Sequence, residues 1–176
     1  MAKKKNYHEL LKTPFDTGIG HFTDIAKYYL YYAPSIDSAQ TVGQLNDLEA
    51  DSILQTMIAQ SYIDKKKARF LKKVQPTSWV TIDLSEDELD FEIPRFICDK
   101  YSNENDLHAL LRHIRNAFAH GYLYVWKKQS GNYIFLIDFD PGKKKPTAKI
   151  MISFSILQQW KNILEAKVAM LHENEQ

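Results

Sequence analysis

The sequence predicts a mainly α fold, a helical bundle carrying a small antiparallel β appendage (about residues 122–154) ahead of the C-terminal helix. Three observations predict it. Apolar residues recur at helical spacing over most of the first 120 positions. The β-branched and aromatic runs concentrate in YLYVWKKQSGNYIFLIDFDPGKKKPTAKIMISFS, broken by the turn-forming QSGN and DPGKKKP. A final segment from Ser155 places Leu157, Trp160, Leu164, Val168 and Leu171 along one narrow seam.

Taken in order, GHFTDIAKYYLYYA sets Phe22, Ile25, Ala26, Tyr29 and Leu30 on one helical face, and Pro34 ends the segment. From Thr41, Leu45, Leu48, Leu54, Met57, Ile58, Leu71 and Val74 follow a broadly helical pattern, acidic first and basic later. That polarity suits the helix macrodipole, for one long helix or two in succession, and Pro76 closes it. SWVTIDL (78–84) alternates well enough for a short strand, and Ser85 with Glu88 has the spacing of a capping box that Pro94 confines to a turn or two. In YSNENDLHALLRHIRNAFAHG, Asn103 or Asn105 can cap a helix whose stripe is Leu107, Leu110, Leu111, Ile114 and Phe118. Gly121 then stands where a helix end favours positive φ.

With 176 residues, 44% of them apolar, the chain is expected to form a single domain over 1–176 with a substantial core. A net charge of +1 confines any polyanion site to a local patch. Cys98 is the only cysteine, which excludes an intrachain disulfide and Cys-rich zinc sites and fits a reducing, cytoplasmic setting. No window approaches the roughly 20 apolar residues of a bilayer span, so no membrane role is expected.

The chemistry concentrates in RNAFAH, Arg115 to His120. Arg and His also suit any last helical turn, so a plain helix end competes with a functional reading. Three details favour function. Arg115 borders the apolar stripe, and Asn116, a poor helix former, follows it mid-helix. His120 brings the side-chain type that exchanges protons near neutral pH, and a guanidinium stabilises a phosphate that gains charge. No neighbouring carboxylate pair, His pair or Cys offers a metal site, and RNA can be cleaved without one because its 2′-OH is a nucleophile.

Geometry raises an objection, since residues five apart on an ideal helix point about 140° from each other. Asn116 and His120, at i and i+4, do lie side by side, with His113 one turn above. Arg115 and His120 can cooperate only if the last turn distorts or if two copies of the helix meet across a two-fold axis.

The phrase IRNAFAHG resembles the Arg-polar-x-x-x-His signature of the HEPN superfamily (higher eukaryotes and prokaryotes nucleotide-binding), and in particular its small plasmid-encoded and abortive-infection-like proteins. The resemblance implies a small helical domain that dimerises and, in many members, a metal-independent RNase of toxin, antiphage or CRISPR-associated systems. It implies that Arg115 stabilises the phosphate, that His120 acts in proton transfer or phosphate stabilisation, and that Asn116 orients the His or the substrate. Cleavage by the 2′-OH leaves a cyclic phosphate. No cofactor or metal is implied; the partners are an RNA substrate, a second copy of the chain and an antitoxin or regulator. Arg112 and His113 neighbour the motif as secondary RNA-binding candidates. The alternative is a non-catalytic HEPN-like module that binds a nucleotide, an RNA or a protein.

Elsewhere, Lys3 to Lys5, Lys65 to Lys67, Lys72 with Lys73, and Lys143 to Lys145 read as solvated runs unless two converge on the Arg115 helix. KYYLYY (27–32) reads as core or interface, His108 and His113 as helix-surface residues, and Cys98 as a buried small hydrophobe.

Overall fold

The computed structural model describes residues 19–33, 47–72, 93–140, 142 and 145–174. The expected strand at 78–84 and the capping box at Ser85 lie outside the described residues. The first element is α1 (Phe22–Lys27), which widens into a π-helical stretch, Tyr28–Tyr32. Its i to i+5 geometry, with Ala33 N–H donating to the Tyr28 carbonyl at 2.9 Å, lets the adjacent Tyr28 and Tyr29 both turn inward. The Tyr29 hydroxyl donates to the Leu157 carbonyl at 2.9 Å.

Helix α2 (Asp47–Gln60) buries Ala50, Ile53, Leu54, Met57 and Ile58. It does not continue toward Val74 as the helical pattern suggests. Tyr62 takes a positive φ of 54° just after the helix, and the Asp64 side chain accepts from Lys66 N–H at 2.8 Å to open a 3-10 turn, Lys65–Lys67. The segment beyond is β1 (Ala68–Leu71), which runs parallel to β2 (Arg95–Asp99). A strand of four residues leaves almost no periodicity to separate it from the end of a helix, so its partner decides its state.

Five elements complete the order: α3 (Asp106–His120), β3 (Leu123–Lys128), β4 (Gly131–Phe139), β5 (Pro146–Ser153) and α4 (Phe154–Asn174). The Ser153 hydroxyl accepts from Ile156 N–H at 3.2 Å and so caps α4. The strands form one five-stranded sheet in the order β1-β2-β5-β4-β3, antiparallel except for the β1–β2 pair.

This sheet corrects the expected mainly α bundle with a β appendage. The chain is α/β, and the meander is three strands of a mixed sheet to which two earlier segments, Ala68–Leu71 and Arg95–Asp99, add strands beside β5. Strand β4 is buried from Tyr133 to Asp138 without a break, and β5 from Ala148 to Ile152. Both faces of these central strands are covered, which is why YIFLI and IMI read as continuous apolar runs instead of alternating.

On one face Phe96, Cys98, Leu123, Ile134, Leu136, Ala148, Ile150 and Ile152 join the helices in the main core. Ile97, Tyr133, Phe135, Ile137 and Met151 form a second cluster on the other face. In the main core Phe118 of α3 lies against Phe22 and Tyr29 of the first helix, with ring centroids 6.1 Å away in each case. Trp160 of α4 is fully buried, and its indole N–H donates to the Ser61 hydroxyl at 2.7 Å while lying 3.2 Å from the Met57 carbonyl. No described helix is long and apolar enough to cross a membrane.

Trp160 joins the end of α2 to α4 and meets Phe96 of the sheet edge to face, so it is the point where three elements lock. Trp160→Phe removes ring volume and leaves the Ser61 hydroxyl without its indole donor. It is expected to lower unfolding free energy by about 1–3 kcal/mol, read from urea denaturation. An unchanged midpoint would show that the indole N–H adds nothing there.

Candidate functional site on helix α3

Helix α3 begins and ends on strong local signals. Of the two candidate caps it is Asn105 that serves, its side-chain oxygen accepting from His108 N–H at 2.9 Å. Asp106 sits in the first turn, where a negative charge is favoured. At the other end Gly121 takes φ 68°; Gly121 N–H bonds to the Phe118 carbonyl and Tyr122 N–H to the Ala117 carbonyl. That pair of bonds is a Schellman stop. Between the caps the helix is α throughout, so its last turn is not distorted.

Leu107, Leu110, Leu111, Ile114, Ala117 and Phe118 face the core. His113, Asn116 and His120 fall at i, i+3 and i+7 and so share one flank. Along that flank burial falls steeply: His113 is 0% exposed, Asn116 half-buried and His120 exposed. The His120 ring lies 5.8 Å from that of Tyr122, which in turn meets Phe139 edge to face at 4.9 Å. Arg115, half-buried, leaves the helix on a different side, about 140° round from His120 in a regular helix. One chain thus brings Asn116 and His120 onto one flank, while the Arg115 Cα–Cβ direction leaves the helix on another side.

Strand β4 supplies a residue that faces this flank. Asp138 follows Ile134 and Leu136 at period two, so it points at α3 from inside the sheet. Its Oδ2 accepts from both His113 Nδ1, at 2.7 Å, and Asn116 Nδ2, at 2.9 Å. Its Oδ1 accepts from Phe139 N–H at 2.9 Å, where the β4–β5 register shifts. The other nitrogen of His113, Nε2, lies 2.9 Å from the Asp99 carbonyl and 3.1 Å from Asp99 Oδ1.

Both imidazole nitrogens therefore face acceptors, and both are satisfied only when each carries a proton. Burial alone would lower the His113 pKa, and the hydrogen bonds to Asp138 and Asp99 outweigh that and raise it. His113 is read from sequence as a surface residue and an RNA contact, but it stands inside the protein. An amphipathic stripe read at 100° per residue does not show that a sheet covers the flank beside it.

Arg112 is the other charge of the site. It meets Glu104 side by side, Nε to Oε1 at 2.7 Å and Nη2 to Oε2 at 2.8 Å, and lies 4.3 Å over the Tyr101 ring. Nη2 also reaches the Asp99 carbonyl at 3.3 Å. Burial alone would raise the pKa of Glu104, but the guanidinium bonds override it and hold the carboxyl below the usual range. Arg112 thus anchors the loop that leads from β2 into α3, as does Lys100 on Asp106 at 2.6 Å. Burial raises the pKa of the Cys98 thiol, so it stays protonated, in line with its reading as a small buried hydrophobe.

Sequence reasoning misses Asp138, Asp99 and Glu104. The available signal for Asp138 was a lone acid ending the apolar run YIFLI, on the same strand face as Ile134 and Leu136. Among the described residues, no group of three or more His, Cys, Asp or Glu is placed to hold a metal ion.

Buried His113 makes stability depend on pH with a definite sign. Its folded pKa lies above the unfolded value of about 6.5, so its contribution is complete below that pH and is lost as pH rises through the folded pKa. Melting temperature is expected to fall as pH rises above neutrality, and to do so less in His113→Gln, which has no charge to lose. Equal alkaline slopes in the two proteins would rule out a buried charge at this position.

A model of the HEPN pEK499 p136 family matches residues 49–175, which takes in α3, every strand among the described residues and α4. No curated protein and no solved structure matches the chain. The match extends over more than half of the sequence, and α3 with its RNAFAH stretch lies well inside it. The chain is a member of the HEPN pEK499 p136 family.

Proposed function

We propose that this chain is a metal-independent endoribonuclease of the HEPN type, acting as a homodimer with a composite Arg/His site in a toxin or antiphage role. HEPN domains are commonly RNases, and membership of the family ties the chain to nuclease or RNA-related chemistry. The observation that carries the finer reading is the arrangement on the last two turns of α3. A partly buried guanidinium, an amide anchored from the sheet and an exposed imidazole lie together in the stretch that resembles the family's signature.

In the reaction the RNA 2′-OH attacks the adjacent phosphate. The O2′–P bond forms as the P–O5′ bond breaks, leaving a cyclic phosphate and a 5′-hydroxyl. The 2′-OH proton must leave and a proton must reach the departing O5′. His120 is the solvent-facing group of α3 able to carry one of these protons, because an imidazole exchanges protons near neutral pH. Arg115 stabilises the negative charge that builds on the phosphate oxygens.

The regular geometry of α3 supports sharing these groups between two chains. Arg115 and His120 of one copy diverge around a regular helix, so the Arg of one protomer meets the His of its partner. The expected partners are an RNA substrate and a second copy of the chain, with an antitoxin or regulator in the cell.

Purified protein incubated with mixed RNA in EDTA is expected to yield fragments ending in a cyclic phosphate. Arg115→Ala and His120→Ala should each lower the rate by roughly a hundredfold or more while leaving the melting temperature near that of the parent. Cleavage that persists in both variants would sink the site. A parent protein that binds RNA without cutting it would favour a non-catalytic binding module.

A further inference from the structure

The Asn116 side chain is held from the sheet, and what holds it fixes which way its amide points. A carboxylate only accepts, so the group that meets Asp138 Oδ2 at 2.9 Å must be the Asn116 nitrogen. The amide oxygen is thereby the atom turned away from the Asp138 carboxylate. On the same flank, one turn further on, His120 stands exposed at the open end.

Asp138 is itself held in place to do this. Three donors converge on it, from His113, Asn116 and Phe139, in a site closed to water. The titratable and charged groups around His113 are Asp138 on β4, Asp99 and the Cys98 thiol on β2, Glu104 in the loop before α3, and Arg112 on α3 itself. Neither His113 nor Asp138 is exposed, so neither can touch an RNA.

Resting on the ribonuclease reading above, we infer that the buried His113–Asp138 pair is a positioning device, which locks the Asn116 amide with its oxygen facing the RNA site. A fixed acceptor there orients a donor: the imidazole N–H of His120, or the attacking 2′-hydroxyl of the RNA. Were the amide free to flip, its nitrogen would occupy that place half the time and oppose the donor. The pair acts through Asn116 and contributes nothing to the reaction that bypasses it.

A double-mutant cycle tests this, with rates normalised to the folded fraction. Asp138→Asn gives the site an amide whose own nitrogen opposes one of the three donors. It is expected to lower kcat roughly ten- to a hundredfold with KM for RNA unchanged. In an Asn116→Ala background the same change should have almost no further effect, because the group it positions is gone. If Asp138→Asn fails to fold, His113→Gln takes its place in the cycle with the same expectation.

Independent losses that multiply in the double variant would mean a structural role only and overturn the inference while leaving the ribonuclease reading intact. An inactive parent protein would instead fail the ribonuclease reading, and the positioning role with it. Hydrogen exchange at the Asn116 side-chain amide gives a readout that needs no activity. Its protons should be protected in the parent and unprotected in Asp138→Asn, and rapid exchange in the parent would overturn the lock directly.

Discussion

The His113 ring sits in a place where water does not reach, and the fold is arranged so that it has a carboxylate on one side and a backbone carbonyl with a second carboxylate on the other, contacts that favour its protonated form. An isolated imidazolium would not stay charged there, because desolvation favours the neutral ring. Each acidic neighbour comes from a different strand, Asp138 from β4 and Asp99 from β2. Strand β5 lies between those strands in the sheet, so the ion cluster bridges three adjacent strands and the helix above them. Breaking such a buried pair by removing one partner commonly costs about 3–5 kcal/mol, since the remaining charge is left uncompensated.

That requirement fixes α3 more tightly than its apolar stripe does. Leucine side chains tolerate small rotations of a helix about its axis, because dispersion contacts are many and individually weak. Two hydrogen bonds from His113 and one from Asn116 to fixed strand atoms tolerate far less, since they weaken steeply with angle. Arg112 adds the anchor at the entry to the helix through Glu104, and Gly121 sets where it ends. The directions in which Arg115, Asn116 and His120 leave α3 follow from these polar contacts, so the sheet belongs to the working parts of the site.

The limits of the sequence reading follow the same division. Asn105, Gly121 and the Leu107 to Phe118 stripe were legible because caps and helical periodicity are written in neighbouring residues. The β3–β4–β5 meander was legible for a similar reason, as its turns are local and its pairs antiparallel. ARFL and RFICD were not, because each is too short to show a period and their parallel pairing joins residues 68 and 96. Misplacing those two strands demotes the sheet to an appendage, and an appendage gives no reason to place a cover beside His113. The role of Asp138 was hidden by the same step: a single acid at the end of an apolar strand shows its meaning only once its partner 25 residues earlier is in view.

The rigidity of α3 also bears on how the proposed reaction could be assembled. Bringing His120 round to Arg115 within one chain means unwinding the last turn. That would break the bonds from Gly121 and Tyr122 back to Phe118 and Ala117, and would drag Phe118 from its place between Phe22 and Tyr29. It would also strain Asn116 against Asp138, one turn away. Docking a second copy disturbs none of these contacts, and it supplies an imidazole from outside to an arginine whose own histidine faces elsewhere. For the proposed site, which needs both groups on one phosphate, two helices facing each other would leave these contacts intact, and the ion cluster behind each helix would hold it in the orientation such a dimer requires.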